Sequence, residues 1–109
     1  RASAFAIRPK VLFDNEASRI ATVIEVECLD RPGLLYDITQ AIFEAGLSIS
    51  TAMVATYGER AIDVFYVRDG FGHKIVHPAR LEAVEKRLKT ALEPIATEVG
   101  LEAGTPAKA

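Results

Sequence analysis

The residues with the clearest chemical potential are Asp30, Arg31, Pro32 and Gly33, which join an apolar strand pattern to an apolar helix pattern. A helix N-terminus leaves backbone N–H groups unpaired and carries partial positive charge, so it attracts a carboxylate. Gly33 has no side chain to keep a ligand from the backbone, and Pro32 favours the turn into the helix. Asp30 offers a carboxylate to an ammonium group. These groups together are complementary to a free amino acid, which carries both charges close together.

The same spacing also has a purely structural interpretation. Asp30 could cap the helix, while Pro32 and Gly33 shape the turn before it. Local spacing alone favours this interpretation by about two to one, because caps are far commoner than ligand sites.

Other reactive side chains give weaker signals. His73 and His77 are four residues apart but lie in a glycine-rich loop, and a structural zinc normally needs four ligands, so zinc has roughly one chance in twenty. Cys28 lies on the apolar face of a strand, where a free cysteine is usually a small buried hydrophobe. Glu25 and Glu27 share the opposite face and are expected to face solvent or an interface. We predict neither a catalytic site nor a metal site.

The elements around the junction follow from hydrophobic periodicity. Residues 20–29 alternate as a half-covered strand, and residues 33–45 repeat at helical spacing. Residues 47–57 and 60–69 read as two strands of a hairpin, and a second amphipathic helix runs from Pro78 towards Pro94. The predicted buried positions are Ile20, Thr22, Ile24, Val26 and Cys28 in the first strand and Leu34, Leu35, Ile38, Ala41, Ile42 and Ala45 in the first helix.

The order strand, helix, strand, strand, helix predicts an α+β, ferredoxin-like fold that lacks its last strand. Residues 10–14 read as a short strand that could lie antiparallel beside the first core strand and fill the vacant edge. Two helices cover one face of such a sheet, leaving the other face or an edge for a partner. We expect a lead-in over residues 1–19, a domain over 20–93 and a tail over 94–109, disordered in its last ten residues.

Composition limits the class of protein. The chain has 109 residues, 50% of them apolar and 26% charged, which suits one soluble domain. A net charge of −2 argues against a nucleic-acid partner, and no apolar run reaches the roughly 20 residues of a membrane span. One cysteine and no secretory leader fit a reducing cytoplasm. Because the chain begins with Arg1 and has Ala-rich ends, we expect a piece of a larger protein.

These patterns together resemble an ACT domain, a small amino-acid-sensing module attached to metabolic enzymes. The resemblance runs from about Thr22 to Leu92 and includes D-R-P-G-L-L at the start of the first helix. The longer sequence "VIEVECLDRPGLLYDITQAI", followed by "ATYGERAIDVFYVRDGFGHKI", is similar to the C-terminal ACT domain of PII uridylyltransferase/uridylyl-removing enzymes. Plant proteins made only of ACT repeats have similar sequences, so D-R-P-G-L-L alone indicates the module and not the enzyme.

The resemblance implies a βαββαβ ACT fold and a regulatory role without catalysis in this part. It implies glutamine, or another amino acid, as ligand, and a second ACT domain or a second copy as neighbour. PII would be a partner only through the parent enzyme, whose nucleotidyltransferase and HD phosphohydrolase domains, with Mg²⁺, lie elsewhere; no cofactor is expected here. The expected ligand contacts are Asp30, Arg31, Pro32, Gly33, Leu34, Leu35, Ile49, Ser50, Thr51 and Ala52.

Two alternatives remain from the residues themselves. The domain could serve only for dimerisation or partner docking, with an empty junction. A small stand-alone enzyme would need a convergent His, Asp or Cys constellation, and the sequence offers none.

Overall fold

A computed structural model describes residues 8–93 as a four-stranded antiparallel sheet with two helices on one face. The sheet order is β1-β2-β4-β3, which confirms the predicted ferredoxin-like α+β fold. Neither helix has the length and apolar run that a membrane crossing needs. The predicted tail and the first seven residues lie outside the described residues. The elements are β1 (Lys10–Asp14), β2 (Thr22–Leu29), α1 (Leu34–Glu44), β3 (Ser48–Tyr57), β4 (Arg60–Arg68) and α2 (Pro78–Leu92).

The edge beside β2 is filled by β1, as the sequence predicts. The two strands are antiparallel, with Lys10 opposite Glu27 and Asp14 opposite Val23. Asp14 shapes the following turn, because its Oδ1 accepts the N–H groups of Glu16 and Ala17 at 2.8 and 3.1 Å. β1 thus occupies the position that the final strand takes in a complete βαββαβ fold.

The core lies between the covered face of the sheet and the two helices. Ile24 of β2 and Phe65 of β4 are fully buried, and they belong to one apolar cluster with Ile38 and Ile42 of α1 and Leu88 of α2. Burial of this kind is the main stabilising term for a domain of this size.

Two predicted core positions are wrong. Ile20 is 65% exposed because β2 does not begin until Thr22, and the Ser18 hydroxyl accepts the Ile20 N–H in a local turn before the strand. Leu35 is 45% exposed because successive helical residues are about 100° apart, so burying Leu34 turns Leu35 away from the sheet.

A buried polar network fastens the loop before α2 to the start of β2. The hydroxyl of Thr22, which is fully buried, donates to Asn15 Oδ1 at 2.5 Å and accepts the Ile75 N–H at 2.9 Å. Asn15 Nδ2 donates to the Ile75 carbonyl at 2.8 Å, and Lys74 donates to the Asn15 carbonyl at 2.8 Å. Each polar group therefore has a partner, as buried groups require.

We expect Thr22→Val to lower the free energy of unfolding by roughly 1–3 kcal/mol, because the Ile75 N–H and the Asn15 side-chain oxygen lose their partner in a buried place. Urea unfolding followed by circular dichroism measures the change. Thr39→Val is the matched control, since the Thr39 hydroxyl makes only an exposed bond to the Tyr36 carbonyl. Equal effects of the two substitutions would contradict the role assigned to the network.

Candidate functional site

The junction between β2 and α1 is held by backbone contacts from both sides. The Asp30 N–H donates to the Glu59 carbonyl at 2.7 Å, which ties the end of β2 to the turn between β3 and β4. The Leu34 N–H donates to the Arg31 carbonyl at 3.2 Å, and the first helical bond runs from the Asp37 N–H to the Gly33 carbonyl at 3.0 Å. Gly33 has φ +77°, a left-handed conformation that L side chains rarely adopt, so the turn requires glycine.

No side chain caps α1, so the capping interpretation of Asp30 is not what the structure shows. Within residues 8–93 the Asp30 carboxylate makes neither a hydrogen bond nor an ion pair, and it is exposed to solvent. In the same part of the chain the N–H groups of Gly33, Leu35 and Tyr36 have no hydrogen-bond acceptor. The junction therefore presents a free carboxylate beside free N–H donors at the positive end of a helix.

Arg31 is engaged within the fold. Its guanidinium lies 2.9 Å from the Asp37 carboxylate in the first turn of α1, and the side chain is 14% exposed. It also donates to the carbonyls of Pro32 and Ala91, each at 3.2 Å. Arg31 thus links the junction to the C-terminal end of α2.

An open cavity of about 280 Å³ lies over this junction. Its volume is just below the range of about 300–1,000 Å³ that is usual for pockets holding drug-sized ligands, so it suits a smaller molecule. It is lined by Asp30, Arg31, Gly33, Leu34, Leu35, Tyr36, Val54, Thr56, Ala61 and Asp63. The predicted half-site over residues 30–35 is therefore brought together around one cavity, except that Pro32 does not line it.

The structure does not bring Ile49, Ser50, Thr51 or Ala52 to this cavity, where β3 contributes Val54 and Thr56. Both β2 and β3 are antiparallel to β4, so they run in the same direction, and the end of β2 lies at the level of the end of β3. The stretch 49–52 lies nearer the start of β3, where Ser50 forms an irregularity in the pairing. As ligand contacts these four residues stay a prediction.

Five residues that line the cavity are absent from the predicted contacts, and Asp63 is the charged one among them. It lies on β4 between Ala61 and Phe65 on the core-facing side, and it is 4% exposed. Burial raises the pKa of the Asp63 carboxyl above its ordinary value, a hydrogen bond from the Ala55 backbone lowers it, and the charge of Asp30 raises it. The signal was present in the sequence, because the alternation of "RAIDVFYV" places an aspartate where an apolar residue belongs.

Cys28 behaves as the buried hydrophobe that the sequence predicts, with 4% exposure. Burial, followed by the charge of Asp63, raises its pKa to about 11, which keeps the thiol protonated and unreactive. Glu27 forms an ion pair with Arg60 at 2.8 Å on the face away from the helices.

Among residues 8–93 no three side chains of the types His, Cys, Asp and Glu are grouped to hold a metal ion. His73 instead stacks on Phe71, with ring centroids 6.5 Å apart.

Comparison with known proteins adds a family. The sequence model of a family described as "ACR9-like, ACT-like domain" matches residues 10–101. The bifunctional uridylyltransferase/uridylyl-removing enzymes of Zymomonas mobilis and Novosphingobium aromaticivorans are each 56% identical over 93 residues, or 85% of this chain. The enzyme of the same name from Azospirillum brasilense is 53% identical over 92 residues, or 84% of the chain. The chain spans about a tenth of the length of these relatives, and no solved structure matches it.

We expect Asp63→Asn to stabilise the unliganded chain at neutral pH and to lose this advantage in acid. Because the folded-state pKa of Asp63 is raised, the native state binds a proton more readily than the unfolded chain does. The free-energy cost of burying the ionised Asp63 is thus absent below the pKa that Asp63 has in the unfolded chain. This cost grows as the pH rises to the pKa in the folded chain and stays constant above it. Melting temperatures measured across this interval test the prediction.

Glu25→Gln is the control, since it removes the same charge from the opposite face of the neighbouring strand. A stabilisation by Asp63→Asn that is equal at acidic and neutral pH would contradict the prediction.

Proposed function

Since the chain belongs to the ACT-like domain family, we propose that it is a regulatory, glutamine-sensing domain of a PII uridylyltransferase/uridylyl-removing enzyme. The domain would control the uridylylation and deuridylylation of PII in nitrogen regulation while taking no part in the chemistry itself. High glutamine would favour removal of UMP from PII, and low glutamine would favour its addition. The proposal is supported by relatives that bear the name of that enzyme and are 56% identical over 85% of this chain.

The observation that carries the proposal is that free hydrogen-bond donors and a free carboxylate lie around the same cavity. Free N–H groups of Gly33, Leu35 and Tyr36 offer a place for the ligand's carboxylate, and the unpaired carboxylate of Asp30 offers one for its ammonium group. A single α-amino acid carries both groups at a fixed short separation. The site is formed by backbone and side-chain groups that the fold leaves without other partners among the described residues.

Regulation would follow from differential binding. A ligand that binds one arrangement of neighbouring domains more tightly than another shifts the population towards the first. Arg31 supports a route for this effect, because it lines the cavity and also holds the Ala91 carbonyl near the end of α2. A ligand at the junction would therefore act beside the contact that positions this helix end.

We expect Asp30→Ala to weaken glutamine binding roughly tenfold to a hundredfold, the range for loss of one charged hydrogen bond. The melting temperature of the unliganded chain should hardly change, because the Asp30 side chain makes no bond within residues 8–93. Isothermal titration calorimetry of the 109-residue chain with glutamine, glutamate and other amino acids measures the affinities.

Glu44→Ala, at the far end of α1, is the matched control, because Glu44 makes only an exposed contact with Arg87 at 3.5 Å. Asp37 is unsuitable, since its removal would release Arg31. A lower melting temperature for Asp30→Ala with an unchanged glutamine titration would assign Asp30 a structural role and refute sensing at this junction.

The second candidate function is dimerisation or partner docking without a ligand, and the free edge of the sheet favours it. β3 is an edge strand of ten residues that contains no charged residue and no proline, the features that normally protect an edge. Its Met53 and Tyr57 are 51% and 65% exposed. A second copy of the chain, or a second ACT domain in a longer protein, is the partner that fits this edge, and such pairing is also compatible with glutamine binding.

We expect the chain to self-associate through β3, so Met53→Lys should shift the population towards monomer. A lysine on an edge strand is easily solvated in the monomer but resists burial against another strand. Sedimentation velocity over a wide concentration range measures the distribution. Phe71→Lys, at an 86% exposed loop position, is the control for added charge. A wild-type mass that stays monomeric at every concentration would argue against the dimer.

A further inference from the structure

Asp63 lies in the wall of the junction cavity as a nearly buried carboxylate. It is 4% exposed, next to Ala61 and Phe65 on the core-facing side of β4 and opposite Val54 of β3. Within residues 8–93 the Ala55 backbone is the neighbour that lowers its pKa, and no Lys or Arg in that range forms an ion pair with it. An ionised carboxylate is costly in such surroundings unless another group compensates it.

Different parts of the cavity wall carry different polar groups. The N–H groups at the start of α1 can donate hydrogen bonds to an anion, and Asp30 is exposed, so an ammonium group beside it would stay partly solvated. Asp63 lies away from solvent, and the cavity surface near it includes the apolar side chains of Val54 and Ala61. A ligand bound by its α-amino and α-carboxylate groups at the junction would therefore direct its side chain towards Asp63.

We propose, on the basis of the function proposed above, that Asp63 determines ligand specificity by accepting a hydrogen bond from a side-chain amide and excluding a side-chain carboxylate. Burial raises the pKa of the Asp63 carboxyl and the Ala55 backbone lowers it, and a ligand amide that donates to the carboxyl group would stabilise the ionised form, which has only acceptors to offer. The amide of glutamine supplies two N–H donors without bringing a charge into the cavity. The carboxylate of glutamate supplies no donor and would face a like charge in surroundings that screen it poorly.

The experiment compares wild-type chain with Asp63→Asn by calorimetric titration against glutamine, glutamate and lysine. Wild type should bind glutamine at least about tenfold more tightly than glutamate, because like charges placed together are strongly unfavourable. In Asp63→Asn the amide group can donate as well as accept, so glutamate should bind more tightly than before. The ratio of the two affinities should fall towards one.

Two further variants keep the result interpretable. Asp63→Ser removes the charge with a smaller side chain, so it gives the same ratio change if the asparagine variant folds poorly. Glu25→Gln removes a charge from the other face of the sheet and should leave the ratio unchanged.

An unchanged ratio in both Asp63 variants, in a chain that binds glutamine selectively, would overturn the role of Asp63 and leave the proposed function standing. Tighter binding of lysine than of glutamine by wild type would also overturn the role proposed for Asp63, since Asp63 would then bind a cation. If wild type binds none of the three amino acids, the proposed function fails, and the inference about Asp63 fails with it.

Discussion

The arrangement of the site depends on one side chain, that of Arg31, whose guanidinium contacts both helices. It pairs with Asp37 at 2.9 Å in the first turn of α1 and donates to the Ala91 carbonyl at 3.2 Å in the last turn of α2. Arg31 immediately precedes Pro32 and Gly33, so this contact fixes the direction in which the chain leaves β2. The planar guanidinium suits the task, because its several N–H groups can bind different acceptors at the same time. The cavity over the junction is consequently bounded by a turn that Arg31 links to the C-terminal end of α2.

The chain departs from ordinary folding rules at the residues around this cavity. Gly33 has a left-handed conformation, the start of α1 has no side-chain cap, and Asp63 occupies a buried position that suits an apolar residue. The missing cap and the buried carboxylate each reduce the stability of the unliganded domain, and both leave polar groups beside one small space. Violations of local rules that converge in this way are typical of functional sites. The bound amino acid in our proposal would compensate the same groups that the fold leaves without partners.

Much of the fold could be predicted from the sequence, because its signals are local. Alternation over β2 and β4, helical spacing over α1 and the short turn at Gly58 identify the elements, and residues 15–21 are too few to take β1 far from β2. Ile20 was placed wrongly because a side chain–backbone turn at Ser18 competes with the strand pattern and delays the start of β2.

Only the part of the site that lies on one stretch of sequence could be predicted, because the residues from β3 and β4 reach the cavity through the order of the strands in the sheet. Residues 30–35 are contiguous, so their grouping needed no tertiary information. Val54 and Thr56 reach the cavity because β3 runs in the same direction as β2 on the far side of β4, which local patterns do not reveal. The contact from Arg31 to Ala91 joins residues 60 positions apart, and nothing in either local sequence indicates it.

The most direct test of the account is to follow backbone amide chemical shifts by nuclear magnetic resonance while glutamine is added to the chain. The account predicts that the amides of Gly33, Leu35 and Tyr36 shift most, in a saturable way, because their N–H groups receive the ligand's carboxylate. Amides in the loop from Asp69 to His73 serve as an internal reference, since this loop does not line the cavity. Unchanged shifts at the start of α1 under saturating glutamine, or changes confined to another surface, would contradict the account.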